Sequence, residues 1–287
     1  MESPDAALRK ALAADPGRPL ITQYDDRTGE RVELSVATVD NWVSKTANLL
    51  QDTGVEPGST AAVLLPAHWQ TAVILLGCWR AGVAVGHSAV PGAVLPADVE
   101  PRVVFTAADR AAEAVALGTD FGADEIWALS LAPMAAPLRE VPPGVVDYAP
   151  EVRTHGDRFT PYTPVDQTGP GLWLAADPPP AAGAAGTAAA GADVAAAGAD
   201  GAGANGVGGG GLSLAELGAL GVARAGVLGL TGGGRLLVGT DEVVQPSPVE
   251  WLLAPLVAGG GVVLLRHPDP TRVDHVAETE RVTVRLA

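Results

Sequence analysis

Apolar and polar positions follow two rhythms along this chain, one of period two and one near 3.6, and the switches between them set out an order of elements. Thr22 to Tyr24 and Glu30 to Leu34 have strand character and flank Asp25-Asp26-Arg27-Thr28-Gly29, a polar stretch that closes a hairpin. Ser35 then stands where an N-cap belongs, ahead of Val36, Val39, Trp42 or Val43, and Leu49 or Leu50 at helical spacing. Gly54-Val55-Glu56-Pro57-Gly58 ends that helix and leads into a strand, Ala61 to Leu65. The following helix, about His68 to Ala81, is apolar on most sides, which predicts packing between a sheet and other helices. Gly82 stops it, and Val83-Ala84-Val85 begins the next strand.

The alternation continues with strand character at Arg102 to Thr106, a helix from Ala107 to Leu117 and a strand from Glu125 to Leu129. Such a βαβ order predicts an α/β fold with a mainly parallel sheet flanked by helices. Pro133 to Pro170 has little periodicity and reads as loop with a strand near Glu151 to Arg153. Gly171-Leu172-Trp173-Leu174 reads as a buried strand and Leu212 to Leu230 as a helix. Strands at Arg235 to Val238 and Gly261 to Leu265 then alternate with helices at Pro248 to Val257 and Pro270 to Thr279, and a last strand begins at Val282.

Between Leu174 and Leu212 the pattern vanishes. Of residues 175–211, 27 of 37 are Ala or Gly, and none is Lys, Arg, Ser or aromatic. Ala-Ala-Ala-Gly-Ala-Asp occurs twice, at Ala188 to Asp193 and Ala195 to Asp200, as in repeat expansion. The expected organisation is a first α/β half over 1–174, a low-complexity, disordered insertion over 175–211, and continuation of the same domain over 212–287.

Composition narrows the classes. The 287 residues are 47% hydrophobic, sufficient for a real core, and 33 acidic against 18 basic residues give a net charge of −15. That balance, with no basic cluster, argues against nucleic acid and anionic membrane as partners. No apolar run reaches the length of a membrane span, since Glu216 and Arg224 interrupt the longest. Met1-Glu2-Ser3-Pro4-Asp5 lacks the order of a signal peptide, so a cytoplasmic location is expected, and the single Cys78 is read as a small buried hydrophobe.

Several stretches resemble the N-terminal domain of the adenylate-forming enzymes: acyl-CoA synthetases, nonribosomal peptide adenylation domains and luciferases. Gly54-Val55-Glu56-Pro57-Gly58 through Leu65-Pro66 is similar to that family's G-V-x-P-G-D-x-V-A-x-x-L-P stretch, and Trp79-Arg80-Ala81-Gly82-Val83-Ala84-Val85 to its K-A-G-A-x-x-V. Leu230 to Leu237 resembles L-x-P-G-D-R-V-L, and Trp251 to Val263 resembles L-L-A-P-L-L-A-G-A-T-V-V. The resemblance runs from about Leu20 to the C-terminus, broken by the Ala/Gly tract, and implies the first part of an AMP-binding domain.

The departures concern the chemistry. The family's phosphate loop, Ser/Thr/Gly-rich and ending in Pro-Lys-Gly, is expected after Leu174, where the tract offers one hydroxyl, Thr187, and no lysine. An aromatic-His motif is absent from Thr240 to Pro248, and no sequence follows Ala287 to carry the later motifs or a lysine-bearing C-terminal domain. Adenylation relies on positioned positive charge and Mg²⁺. The resemblance therefore implies a degenerate, shortened relative, not independently active, that works by binding a small molecule or a protein, including a second copy through a sheet edge near Val282. The alternative is a residual acyl-activating enzyme using ATP and Mg²⁺ at a pocket near His87, Leu174 and Thr240, completed by a lysine domain on a separate chain.

No residue is assigned a catalytic, cofactor-binding or metal role. Gly206 to Gly211 reads as flexible linker in preference to a phosphate cradle. Gly86-His87-Ser88-Ala89-Val90 approaches a nucleophile elbow, but Pro91-Gly92 breaks the helix an elbow feeds, so a strand exit is preferred. His68, His87, His155, His267 and His275 show no metal spacing and are expected at surface or loop positions. His155-Gly156-Asp157 and His267-Pro268-Asp269 read as turns, with imidazole orientation by the adjacent Asp as the alternative. Trp42, Trp69, Trp79, Trp173 and Trp251 are expected in the core, with Trp127 either there or at an edge.

Overall fold

In the computed structural model, which describes residues 2–92, 95–97, 99–174, 211–241 and 245–286, the expected parallel architecture is divided between two sheets. The first has the strand order β12-β10-β11-β1-β2, with β1 Pro19–Asp25, β2 Glu30–Ser35, β10 Arg235–Thr240, β11 Gly261–Arg266 and β12 Val284–Leu286. Only the β1–β2 hairpin in it is antiparallel. The second has the order β7-β6-β5-β3-β4-β8-β9, with β3 Thr60–Leu64, β4 Ala84–His87, β5 Val103–Ala107, β6 Glu125–Leu129, β7 Val146–Asp147, β8 Pro170–Leu174 and β9 Leu212–Ser213. There the antiparallel pair is β8–β9. The first sheet thus takes strands from both ends of the sequence.

Helix α3 (Trp69–Ala81) contacts strands of both sheets, and all thirteen of its residues are buried. Its lack of a polar stripe follows from that position. Ala81 gives way to Gly82 at φ +73, a left-handed C-cap that a side chain would strain. Helix α2 (Val36–Asp52), capped by Ser35 Oγ accepting from Thr38 N at 3.2 Å, packs along α3. They pack tightly at Gly77, where a Cβ would stand 2.7 Å from Thr46 Cβ.

Arg80 is almost fully buried and ties three helices. Its guanidinium meets Asp5 and Asp40 at 2.6 Å each and donates to Ser44 Oγ at 2.8 Å. Asp5 belongs to α1 (Pro4–Ala14), a helix that the hydrophobic pattern did not announce although Ser3-Pro4 is a start signal. Ser3 Oγ accepts from Ala6 N, and Leu8 is wholly buried.

Four expectations need correcting. Glu151 to Arg153 is not a strand but the end of α5 (Tyr148–Arg153), which Asp147 caps through Ala149 N. The helix expected from Leu212 is preceded by the short β9 and runs as α6 (Leu214–Val227), started by a reciprocal Ser213–Glu216 capping box. Trp42 and Trp173 are only partly buried, and Trp127 is a core residue whose ring lies tilted against Phe105, centroids 4.9 Å apart. His68 and His87, expected at the surface or in loops, are buried at 0% and 5% exposure.

The remaining helices lie near their predicted places. α4 (Ala111–Phe121) follows β5 and starts four residues later than the expected Ala107 to Leu117, because Ala107 still belongs to β5. A π-turn (Val249–Leu253) leads into α7 (Ala254–Val257), and α8 (Val273–Thr279), starting at Val273 in place of Pro270, precedes β12. The expected insertion falls, apart from Gly211, outside the described residues.

Candidate functional site

In open parallel sheets, loops with freedom to build a site collect at the carboxyl ends of the strands. Here those ends of the two sheets come together. Gln245, in the loop after β10, accepts from Ala67 N at 2.8 Å beyond β3. Arg266, the last residue of β11, feels the charge of Asp109 beyond β5. The N-terminus of α3 lies at this junction.

On the side of the second sheet, β3, β4 and β5 supply the groups. His87 ends β4, fully buried, with Nε2 3.1 Å from the Leu65 carbonyl; facing an oxygen that only accepts, this nitrogen carries the proton. Burial, reinforced by the Arg110 charge, pushes its pKa down to about 4 despite that bond, so the ring is neutral. Ser88 donates to the Val90 carbonyl at 2.9 Å, and Arg110 holds the Ser88 carbonyl at 2.9 Å while pairing with Glu113 at 2.8 Å. The stretch is thus the strand exit the sequence suggested: its hydroxyl donates to backbone, and among the described residues no base accepts from it.

On the side of the first sheet, Asp25 at the end of β1 accepts from His267 Nδ1 at 3.0 Å and from Arg27 N at 3.0 Å, with Arg266 at 3.4 Å. Burial alone would raise its pKa, but those bonds and the Arg266 charge outweigh it and leave the carboxyl below its usual range. Glu30, opposite Asp25 in the hairpin, is raised by burial and by the Asp25 charge. His267 adopts φ +49, a left-handed conformation unusual for a non-glycine residue, and its N–H closes the end of β10 on the Thr240 carbonyl.

The imidazole partners differ from those adjacent in sequence. His267 is oriented by Asp25, not Asp269, which makes a turn with Thr271. His155 meets Asp52 at 3.0 Å, while Asp157 pairs with Lys45. His275 is exposed. His87 and Leu174 are register neighbours across β4 and β8, whereas Thr240 pairs with Arg266 in the other sheet. His68, Gln23, Arg266 and Arg110 were not singled out as site groups; the one legible signal was Thr22-Gln23, two polar residues inside a strand.

Two clefts lie apart from this junction. One of about 520 Å³ opens beside β8, β9 and the start of α6, lined by Thr168, Pro170, Trp173, Ser213 and Glu216. The other, about 140 Å³, lies between α1 and the turn before β11 and includes Lys10 and Arg18. Among the described residues no three His, Cys, Asp or Glu side chains are grouped to hold a metal ion, and no helix is long and apolar enough to cross a membrane.

Residues 8–133 match the family described as AMP-binding enzyme. A relative from Mycobacterium tuberculosis, described as a TIGR03089 family protein, is 37% identical over 280 residues, covering 97% of this chain and 95% of that protein. An acetyl-coenzyme A synthetase of Streptomyces coelicolor is 34% identical over 103 residues, 33% of this chain and 16% of that enzyme. Among solved structures, the acetoacetyl-CoA synthetase from Streptomyces lividans superposes with a TM-score of 0.68 at 19% identity, over 99% of this chain and 42% of that one. The chain therefore spans less than half the length of that synthetase.

Proposed function

Because the chain belongs to the TIGR03089 family and has the fold of AMP-binding, acyl-CoA synthetase-like proteins, we propose that it is a degenerate member that binds a small molecule or a protein without completing adenylation. The observation that carries this reading is the tract at 175–211. It connects β8 to its antiparallel neighbour β9, where a phosphate loop is expected from the family resemblance, and it contains no lysine, arginine or serine.

Transfer of AMP needs positioned positive charge around the phosphates. At the junction of the strand ends the described arginines are engaged by the protein itself: Arg110 by Glu113, Arg266 by Asp25 and Arg272 by Asp26. A polyphosphate would have to displace those carboxylates, so these groups do not fit ATP with Mg²⁺. In this reading residues 1–174 and 212–287 form one α/β domain interrupted by an insertion, and the protein acts through a small ligand, a partner or a second copy.

The test pairs two assays on the full chain. ATP with Mg²⁺ is expected to leave the melting temperature unchanged, since a ligand that binds only the native state must raise it. Carboxylate-dependent exchange of pyrophosphate into ATP is expected to be absent. Exchange above background would overturn the reading in favour of acyl activation by ATP and Mg²⁺, completed by a lysine domain on a separate chain.

A further inference from the structure

Arg18, in the turn from α1 to β1, differs from the other arginines that are at least partly buried. Arg80, Arg110, Arg224, Arg235 and Arg266 each pair with a carboxylate, and Arg18 does not. Its one hydrogen bond among the described residues runs from Nη1 to the Gly260 carbonyl, while the neighbouring Asp15 carboxylate is taken by Gly17 N at 3.1 Å. Nε and Nη2 of Arg18 have no partner among the described residues, yet neither is sealed from solvent. Burial lowers the pKa of Arg18 from the ordinary arginine value; the Asp15 charge offsets only part of this, and the Arg235 charge adds to it. A partly desolvated cation normally gains a carboxylate partner, and this chain has 33 acidic residues to supply one.

Arg18 lines the cleft of about 140 Å³ between α1 and α7. That cleft has a simple origin in the sequence. Ala7, Ala11 and Ala14 recur on one face of α1 at helical spacing. Where this face meets Leu256 and Val257, the alanines have nothing beyond Cβ to fill the gap. Backbone bonds fix both sides: the Arg18 carbonyl accepts from Val36 N at 2.9 Å, and the Pro255 carbonyl from Gly260 N at 2.9 Å. Lys10 also lines the cleft, paired with Glu2 at 3.2 Å, the two side chains being 72% and 38% exposed. An ion pair so exposed contributes little, so the ammonium can turn to a ligand.

Size, wall and charge together select a ligand class. A cavity of about 150 Å³ holds a single benzene-sized molecule, so only a few carbon atoms can be buried on the alanine and leucine wall. The planar guanidinium matches a carboxylate. Glu2, at the same cleft, opposes a second negative charge. We propose that Arg18 and the cleft between α1 and α7 form a binding site for a short-chain monocarboxylate. Its carboxylate lies on Arg18, its alkyl tail lies against Ala7, Ala11 and Leu256, and Lys10 closes the rim. The site is separate from the strand-end junction, and it stands whether or not that junction supports adenylation.

The probes are the sodium salts of butyrate, acetate, phosphate and chloride, added to the full chain while the Arg18 Nε–H and Leu256 methyl signals are followed by NMR. The expected result is a saturable shift of both signals with butyrate, half-complete at a concentration on the order of millimolar, as suits so small a ligand. Acetate, which lacks the tail, is expected to respond more weakly, and phosphate and chloride not at all. Arg18→Gln removes the charge, and Ala11→Leu fills the cleft from α1 while leaving Arg18 in place. Each is expected to weaken butyrate binding about tenfold or more. No saturable shift with butyrate, an equal response to acetate, phosphate or chloride, or unchanged butyrate affinity in either folded variant overturns the assignment.

Discussion

His87 shows how burial writes a pH dependence into a single residue. In the unfolded chain its pKa is near the ordinary 6.5, and in the fold it is about 4. The unfolded state therefore holds more protons between these values, so this contribution is complete above pH 6.5 and is lost as pH falls towards 4. The gap corresponds to on the order of 3 kcal/mol. His68, also depressed by burial, acts with the same sign. His87→Gln retains an N–H for the Leu65 carbonyl but cannot ionise. Urea titrations across this range should show the acid-side loss of stability reduced in the variant; an unchanged pH profile would mean that His87 is not the titrating group. None of this was legible in the sequence, where a His between strand and loop suggests exposure. The two adjacent-Asp pairings failed for a related reason: an imidazole is oriented by whichever carboxylate the fold brings near, and Asp25 and Asp52 come from distant segments.

At the scale of elements, periodicity placed the long helices well because each buries a continuous face. It placed short ones badly. α5 has six residues and depends on the Asp147 cap and on Tyr148 buried against Phe105 and Thr46, contacts with no local signature. The α2–α3 interface rests on Gly77. Ala there would gain about 0.5–1 kcal/mol of helix propensity. Its Cβ, however, would stand 2.7 and 2.8 Å from Thr46 carbons and 3.3 Å from the Val43 carbonyl. Overpacking of this kind costs about 1–3 kcal/mol, and Thr46 is held by bonds to the Trp42 carbonyl and the Tyr148 hydroxyl. Gly77→Ala is therefore expected to destabilise by about 1 kcal/mol, the difference between the middles of those ranges. Chemical denaturation measures it, and a stabilised variant would show that the helices separate easily.

At the scale of the molecule, the expected parallel α/β architecture is present, and its division into two sheets required three dimensions. Strands β1 and β11 are far apart in sequence yet pair in register from Ile21↔Val262 to Asp25↔Arg266. Residues 178–210 belong to the connection between β8 and β9, and deleting them would leave six residues between the paired Leu172 and Leu212, a length compatible with a hairpin connection. Closing a shorter loop changes the entropy only slowly with length, by under about 2 kcal/mol here. The deletion is expected to leave the unfolding free energy nearly unchanged, as measured by urea titration; a large loss would show that the tract packs against the fold. By itself the sequence determined most of the order of elements, though not α1, α5 or β9, together with the family resemblance and the absence of cationic residues from the tract, since periodicity and composition are properties of neighbouring residues. Only the tertiary structure decided that the strand ends of two sheets meet around α3, and that Gln23 of β1 accepts from Trp69 N in its first turn. Their proximity follows from strand register and helix packing between segments more than 40 residues apart, which local pattern does not encode.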